Sequence, residues 1–139
     1  MEEPPVRQFA KEIAAHHNDT AVRFQAVFFA DKIILSILIN GAADATFDLP
    51  LPIHAAILPA VQLEDSLPVE PIVLVGDQQN VKIQVVAAQI GKVVLHLKHP
   101  RNAILSIGTR WFGRGDATNA DDFEKATFVL EHVKRLLEK

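Results

Sequence analysis

A chain of 139 residues is long enough for one domain with a buried core, and 49% of its residues are hydrophobic. With 17 acidic against 14 basic residues, the net charge of −3 provides no basic field to attract nucleic acid or an anionic membrane. The sequence contains no cysteine, which excludes disulfides, thiolate metal ligands and a cysteine nucleophile, and fits a reducing compartment.

The N-terminal residues MEEPPVRQFAKEI lack the positive start and apolar core of a secretory signal. No run of about 18 apolar residues occurs, so we expect no membrane span and a cytoplasmic location, with the nucleus as a second compartment. Phe9 and Ile13 stand four residues apart within residues 6–17, which favours a short N-terminal helix. We expect a single domain over residues 1–139.

Residues 21–39 predict two antiparallel strands joined by a turn at Ala30 and Asp31. This turn pairs Phe24 with Ile37 and fixes the register of the whole hairpin. One face is then apolar throughout, with the pairs Val22–Ile39, Phe24–Ile37, Ala26–Leu35 and Phe28–Ile33. The other face mixes the apolar residues Val27, Phe29, Ile34 and Leu38 with Arg23, Gln25, Lys32 and Ser36.

The mixed face has two candidate covers. Apolar residues interspersed with polar ones are typical of a protein interface, so we predict a dimer interface formed by Val27, Phe29, Ile34 and Leu38. The alternative is that the C-terminal helix covers this face, and then no interface is needed.

An Asn-Gly pair opens the next turn and continues the meander. It places Ala45, Phe47 and Leu49 opposite Ile39, Ile37 and Leu35. Residues 50–71 contain five prolines and predict a mainly extended connection.

Four further strands are predicted beyond the connection, over residues 71–76, 81–88, 92–98 and 103–108. A loop over residues 109–119 then leads to a helix over about residues 120–138. Its predicted apolar stripe comprises Phe123, Ala126, Leu130, Val133 and Leu137. The fold class is therefore α+β, an antiparallel sheet of six to seven strands in meanders with a long C-terminal helix and a short N-terminal one.

No group of residues in the sequence indicates catalysis. The six histidines lack the usual metal-ligand spacing, and no serine lies in a Gly-x-Ser-x-Gly turn. The segment GTRWFGRG has the glycine spacing of a phosphate loop but lacks its lysine and the following serine or threonine. We expect no catalytic residue, no metal and no cofactor.

Trp111 and Phe112 are adjacent large aromatic residues in a loop, flanked by Arg110 and Arg114. Either the loop packs a ring onto the core, or the four residues form an exposed anchor for a partner, since tryptophan and arginine are enriched at interface hot spots. A different hypothesis is a small enzyme or ligand-binding domain with a cleft under residues 50–71, which would contain His54, His96 or Arg110.

The order of these segments resembles the small proteasome-assembly chaperones, most closely the third type, with the fourth type as the alternative. The resemblance lies in AVRFQAVFFADKIILSILINGAADATFDL, in PIVLVGDQQNVKIQVVAAQIGKVVLHLKHPRNAILSI and in the final FEKATFVLEHVKRLL. The 50–71 connection and the 109–119 loop are longer here than in compact members of that family.

The resemblance implies a non-catalytic role. Members of the family pair with a related chaperone as a heterodimer, or form a homodimer, and hold an α-type proteasome subunit, notably the fifth, while the α ring of the 20S proteasome forms. The resemblance therefore implies protein partners only, with no nucleic acid and no membrane.

Overall fold

The structure, a computed structural model, describes residues 10–51, 69–113 and 120–138. It contains six strands and two helices in those ranges: β1 (Ala10–His17), β2 (Thr20–Phe28), β3 (Lys32–Ile39), β4 (Ala45–Leu49), β5 (Ile72–Val75), α1 (Val81–Leu95), β6 (Asn102–Ile107) and α2 (Asp122–Glu138). Neither helix is long and apolar enough to cross a membrane.

The strands form one sheet in the order β1-β2-β3-β6-β4-β5. All neighbours are antiparallel except β3 and β6, which run parallel. The predicted β2–β3 register is confirmed, because Val22 pairs with Ile39 and Phe24 pairs with Ile37. The α+β fold class is likewise confirmed, as a mostly antiparallel sheet of six strands with a C-terminal helix.

The predicted place of β4 is wrong, although its predicted face is right. Phe47 pairs with Leu105 of β6 instead of Ile37 of β3, because β6 inserts between the two strands. Ala45, Phe47 and Leu49 are nevertheless buried on the face that they were expected to share with β3. Strand alternation decides the face of a residue locally, whereas the neighbouring strand depends on how the chain returns later.

The two strands predicted at 81–88 and 92–98 are wrong, since residues 81–95 form the single helix α1 and residues 96–98 form no strand. The side-chain oxygen of Asn80 accepts a hydrogen bond from the backbone N–H of Ile83, which caps the helix. Buried residues then recur at helical spacing, namely Ile83, Val86, Ala87, Ile90 and Val94. Valine is enriched in strands, but the helix is needed here to carry the chain from β5 to the parallel strand β6.

The predicted N-terminal helix is wrong over its described part, because residues 10–17 form the edge strand β1. Burial alternates along β1, and Ile13 and Ala15 pack against the core while Glu12 and Ala14 are exposed. This period of two indicates a strand. Phe9, the other residue of the predicted helical pair, lies outside the described residues.

Both helices pack on the same face of the sheet, α1 over β4 and β6, and α2 over β1 and β2. The predicted C-terminal helix is confirmed, but its buried stripe consists of Val129, Val133, Leu136 and Leu137. Phe123, predicted to be buried, is 82% exposed. The helix thus covers the inner face and not the outer one, on which the predicted interface residues lie.

Candidate interaction surfaces

The outer face of the sheet, opposite the helices, carries an apolar row that crosses every strand. Cross-strand pairing links its members in the order Ala10, Val27, Ile34, Ile104, Asp48 and Ile72. Directly paired residues share one face and lie close together. Val27 and Ile72 are exposed, Ile34 and Ile104 are half-buried, and Asp48 is the single charged interruption.

A polar row runs beside the apolar row on the same face. It comprises Glu12, Gln25, Ser36, Ser106 and Thr46. The Thr46 and Ser106 hydroxyl oxygens lie 3.1 Å apart and form a hydrogen bond across the strands. At the β1 edge, Glu12 makes a 3.0 Å ion pair with Arg23. The outer face therefore combines apolar and polar residues, as interfaces between proteins do.

The four predicted interface residues all lie on or beside this face. Val27 and Ile34 belong to the apolar row, and Leu38 pairs with Arg23 beyond the polar row. Phe29 lies at the β2–β3 turn, where its carbonyl accepts a 2.6 Å hydrogen bond from Arg101. No finding on contacts with another chain tests the predicted interface, so it stays a prediction.

Ile104 and Ile72 extend the apolar row, and sequence reasoning missed both. Each lies in a segment predicted to be a strand, over residues 103–108 and 71–76, so the local signal was present. Their alignment with Ile34 requires β6 to lie between β3 and β4. The sequence pattern alone does not reveal that insertion.

The loop before α2 packs its aromatic residues onto the protein. Phe112 is only 4% exposed and belongs to the core, so the expectation of an exposed ring at this position is wrong. Trp111 is half-buried among aromatic rings, with the ring centres of His17 and Phe128 at 5.5 and 6.0 Å. Arg110 is exposed, and Arg114 lies outside the described residues.

Lys125 fixes this loop to the start of α2. Its Nζ donates a 2.6 Å hydrogen bond to the Trp111 carbonyl, lies 3.3 Å from the Asp121 carboxylate and faces the Trp111 ring. The cation–π contact and the charged hydrogen bond both hold the Trp111 ring inward. Sequence reasoning missed Lys125, whose only signal is its position one turn into the helix.

Asp44 holds the other end of the loop. Its carboxylate accepts hydrogen bonds from the Thr109 backbone N–H at 2.8 Å and from the Thr109 hydroxyl at 2.9 Å. Partial burial by itself raises the pKa of Asp44, but these hydrogen bonds, its own backbone N–H and the charge of Arg110 outweigh burial and lower the pKa below 3.8.

A long groove separates the outward-facing sides of α1 and α2, with a volume of about 1080 Å³. Its walls are mostly apolar, and Phe112 forms part of its floor. Val85 of α1 and Phe123 of α2 are 50% and 82% exposed in it. This groove lies on the opposite side of the molecule from the outer face of the sheet.

The residues of the hypothetical ligand cleft are not brought together. His96 lines the groove between the helices, while Arg110 lines a separate cavity of about 270 Å³ beside Asp44. His54 and most of the 50–71 connection lie outside the described residues. Within residues 10–51, 69–113 and 120–138, no group of three or more potential ligands could hold a metal ion.

Comparison with known proteins shows the family to which this chain belongs. A solved structure described as the crystal structure of a novel chaperone complex for yeast 20S proteasome assembly has a similar fold, with a TM-score of 0.68. The similarity covers 91% of this chain and 96% of that chain at 23% identity. No curated protein matches the sequence.

A family profile supplies the stronger result. Residues 5–134 match the family of 20S proteasome chaperone assembly proteins 3 and 4. The matched region includes every described strand, all of α1 and most of α2. The chain therefore belongs to this family of non-catalytic chaperones, which assist assembly of the 20S proteasome.

Proposed function

We propose that this assembly chaperone acts as a dimer through the outer face of its sheet. The observation that carries the proposal is the apolar row from Val27 through Ile34 and Ile104 to Ile72, on the face that neither helix covers. A sheet face that no helix covers and that exposes valine and isoleucine is stabilised by packing against a second protein.

The proposed second subunit is a related chaperone, giving a heterodimer, with a homodimer as the alternative arrangement. The similar yeast structure is described as a chaperone complex, which supports an arrangement with more than one chain. Resemblance to the third-type chaperone makes a fourth-type partner the first candidate. The compartment proposed for this dimer is the cytoplasm, with the nucleus as a second location.

The proposed client is an α-type subunit of the 20S proteasome, with the fifth as first candidate. An assembly chaperone must bind a free or partly assembled subunit more tightly than the mature ring, because only differential affinity can drive its release. Arg110, Trp111 and Arg114 remain the proposed contacts for that client. Phe112 is buried and instead supports the loop from within.

Reconstitution from purified proteins tests this function. The chain is mixed with third-type or fourth-type chaperones and then with each α-type subunit in turn, and complexes are separated by native gel electrophoresis. We expect a ternary complex with the complementary chaperone and the fifth α-type subunit, and none with β-type subunits. Failure to bind any α-type subunit, with or without a second chaperone, contradicts the proposal.

A loop variant tests the client contacts separately. Replacing Arg110 and Arg114 by alanine removes two charges without removing a buried ring, so we expect the fold to persist and client capture to weaken. Lys98→Ala, which removes an exposed charge elsewhere, is the matched control. Equal capture by the loop variant and the control contradicts the assignment of these two residues.

A further inference from the structure

Helix α1 is apolar on more of its surface than the protein itself buries. Ile83, Val86, Ile90 and Val94 face the core, but Val81 and Val85 are exposed on another side. A helix that is apolar nearly all round is normally buried nearly all round. The second apolar side of α1 therefore indicates a surface that another protein segment covers.

The groove between the helices has the length and shape of a helix-binding site. On α1 its wall follows positions 81, 85, 89 and 93 and continues to the C-cap residue 96, and on α2 it follows positions 123, 126, 130, 134 and 138. These spacings give two continuous helical faces, about 22 Å long on α1 at 1.5 Å per residue. The groove is thus long enough for four turns of a third helix.

The charges on the groove favour an acidic occupant at one end. Lys82 is already paired with Asp122, 3.2 Å away, where the two helices begin. Lys92 and Lys134, one from each wall, have no carboxylate within 4.0 Å among the described residues. Among the described residues that line the groove, Glu138 is the remaining acidic one, so the side chains described in this half carry a net positive charge.

We propose that the groove between α1 and α2 binds an amphipathic helix of a partner protein, with apolar residues facing Val85 and Phe123 and carboxylates reaching Lys92 and Lys134. A helical occupant is favoured over an extended one because both walls are helices with internally bonded backbones. They offer an extended strand no ladder of hydrogen-bond partners, whereas a helix satisfies its own backbone groups. The proposal stands independently of the dimer on the outer face.

Two labelled peptides of about 18 residues test the proposal, a length that spans the groove and holds a helix. Both carry leucines at helical spacing, flanked by glutamates in one and by lysines in the other. Fluorescence anisotropy measures their binding to the full chain at low salt. We expect the glutamate peptide to bind about tenfold more tightly than the lysine peptide, and the difference to shrink as salt rises.

Variants of the full chain locate the binding. Val85→Asp should weaken both peptides at least about tenfold, since it places a charge on the apolar wall. The double variant Lys92→Glu with Lys134→Glu should reverse the preference between the peptides, while Lys98→Glu should leave it unchanged. Ile34→Asp, on the outer face, should also leave peptide binding unchanged, which separates this site from the proposed dimer interface.

Three outcomes overturn the proposal. One is that neither peptide binds, which would show that the groove is closed or takes another occupant. Another is that both peptides bind equally and Val85→Asp has no effect, which would indicate non-specific adhesion. The third is that light scattering detects a dimer that Val85→Asp dissociates, because the occupant would then be a second copy of this chain.

Discussion

Gly91 lies where α1 approaches the chain segment that leads into β5. A β-carbon at this position would overlap the Cγ1 methyl group of Val69, which is itself buried. Glycine within a helix costs about 1 kcal/mol relative to alanine, so a glycine at this point needs a packing reason. The contact with Val69 supplies that reason, and it ties residue 69 to the helix.

A double-mutant cycle tests this contact. We expect Gly91→Ala alone to destabilise the protein by about 1–2 kcal/mol, because the stiff valine has little room to move. In a Val69→Ala background the Cγ1 overlap is gone and only a tight contact with the Cβ of residue 69 remains, so the same change should cost clearly less than in the natural chain. Urea unfolding measures both effects, and a stabilising Gly91→Ala in the natural chain would show that the two residues do not meet.

Asp44 gives the protein a pH-dependent contribution to stability. Its folded pKa lies below 3.8, so the contribution is fully present above that value and is lost as pH falls through the folded pKa. Asp44→Asn should therefore lower the free energy of unfolding at pH 7, by less than about 1 kcal/mol because the group is largely exposed.

The difference between natural chain and Asp44→Asn should shrink in acid. Once the pH has fallen below the folded pKa of Asp44, the natural carboxyl is also neutral, and both proteins then carry an uncharged acceptor toward Thr109. Chemical unfolding followed from pH 7 to pH 3 measures this change. A difference that stays constant over that range would mean that the Asp44 charge contributes nothing.

At the scale of elements, α1 shows how local sequence can mislead. Its valines and isoleucines favour strands, and Gly91 in the middle resembles a turn between two of them. Asn80 is the one clear helix signal, and it lies in a polar turn where asparagine is expected in any case. The requirement for a crossover from β5 to β6 comes from the whole fold and cannot be deduced from these residues.

The Asn80 cap should contribute measurably to α1. Asn80→Ala removes the acceptor for the Ile83 N–H, so we expect a loss of about 1 kcal/mol in the free energy of unfolding. Asn80→Asp keeps the acceptor and adds a negative charge at the helix N-terminus, where it is favourable, so it should lose less. Equal losses in the two variants would show that the cap is not what matters at this position.

The β2–β3 hairpin and α2 were predictable because each is determined by nearby residues. A short turn fixes the hairpin register, and the apolar stripe with an acidic start marks the helix. Phe123 was placed in the buried stripe because it fits the helical spacing. The position of α1 alongside α2 opens a groove at Phe123, and that arrangement is tertiary.

At the scale of the whole molecule, two surfaces face in opposite directions. The sheet exposes the apolar row on one side, and the two helices expose the groove on the other. The sequence identified Val27 and Ile34 on the first surface, since hairpin register is local. It missed Ile72 and Ile104, and it gave no sign of the groove, because both depend on the order in which distant segments pack.

Such a two-sided arrangement suits a chaperone of proteasome assembly. One side can pair with a second chaperone while the other remains available to a further protein. If both proposed surfaces are used, binding at the two sides does not compete, and the proposed dimer holds a further protein without first dissociating. The proposed pairing with another chaperone depends on the dimer interface on the outer face.

Light scattering after size-exclusion chromatography tests that interface most directly, with the chain alone and mixed with its candidate partner chaperone. We predict a dimer, of the chain alone or with its partner, for the natural chain and for Val85→Asp, which alters only the groove. For Ile34→Asp and for Leu38→Asp we predict a monomer that keeps its circular dichroism spectrum. An Ile34→Asp chain that remains folded and fully dimeric would contradict the account.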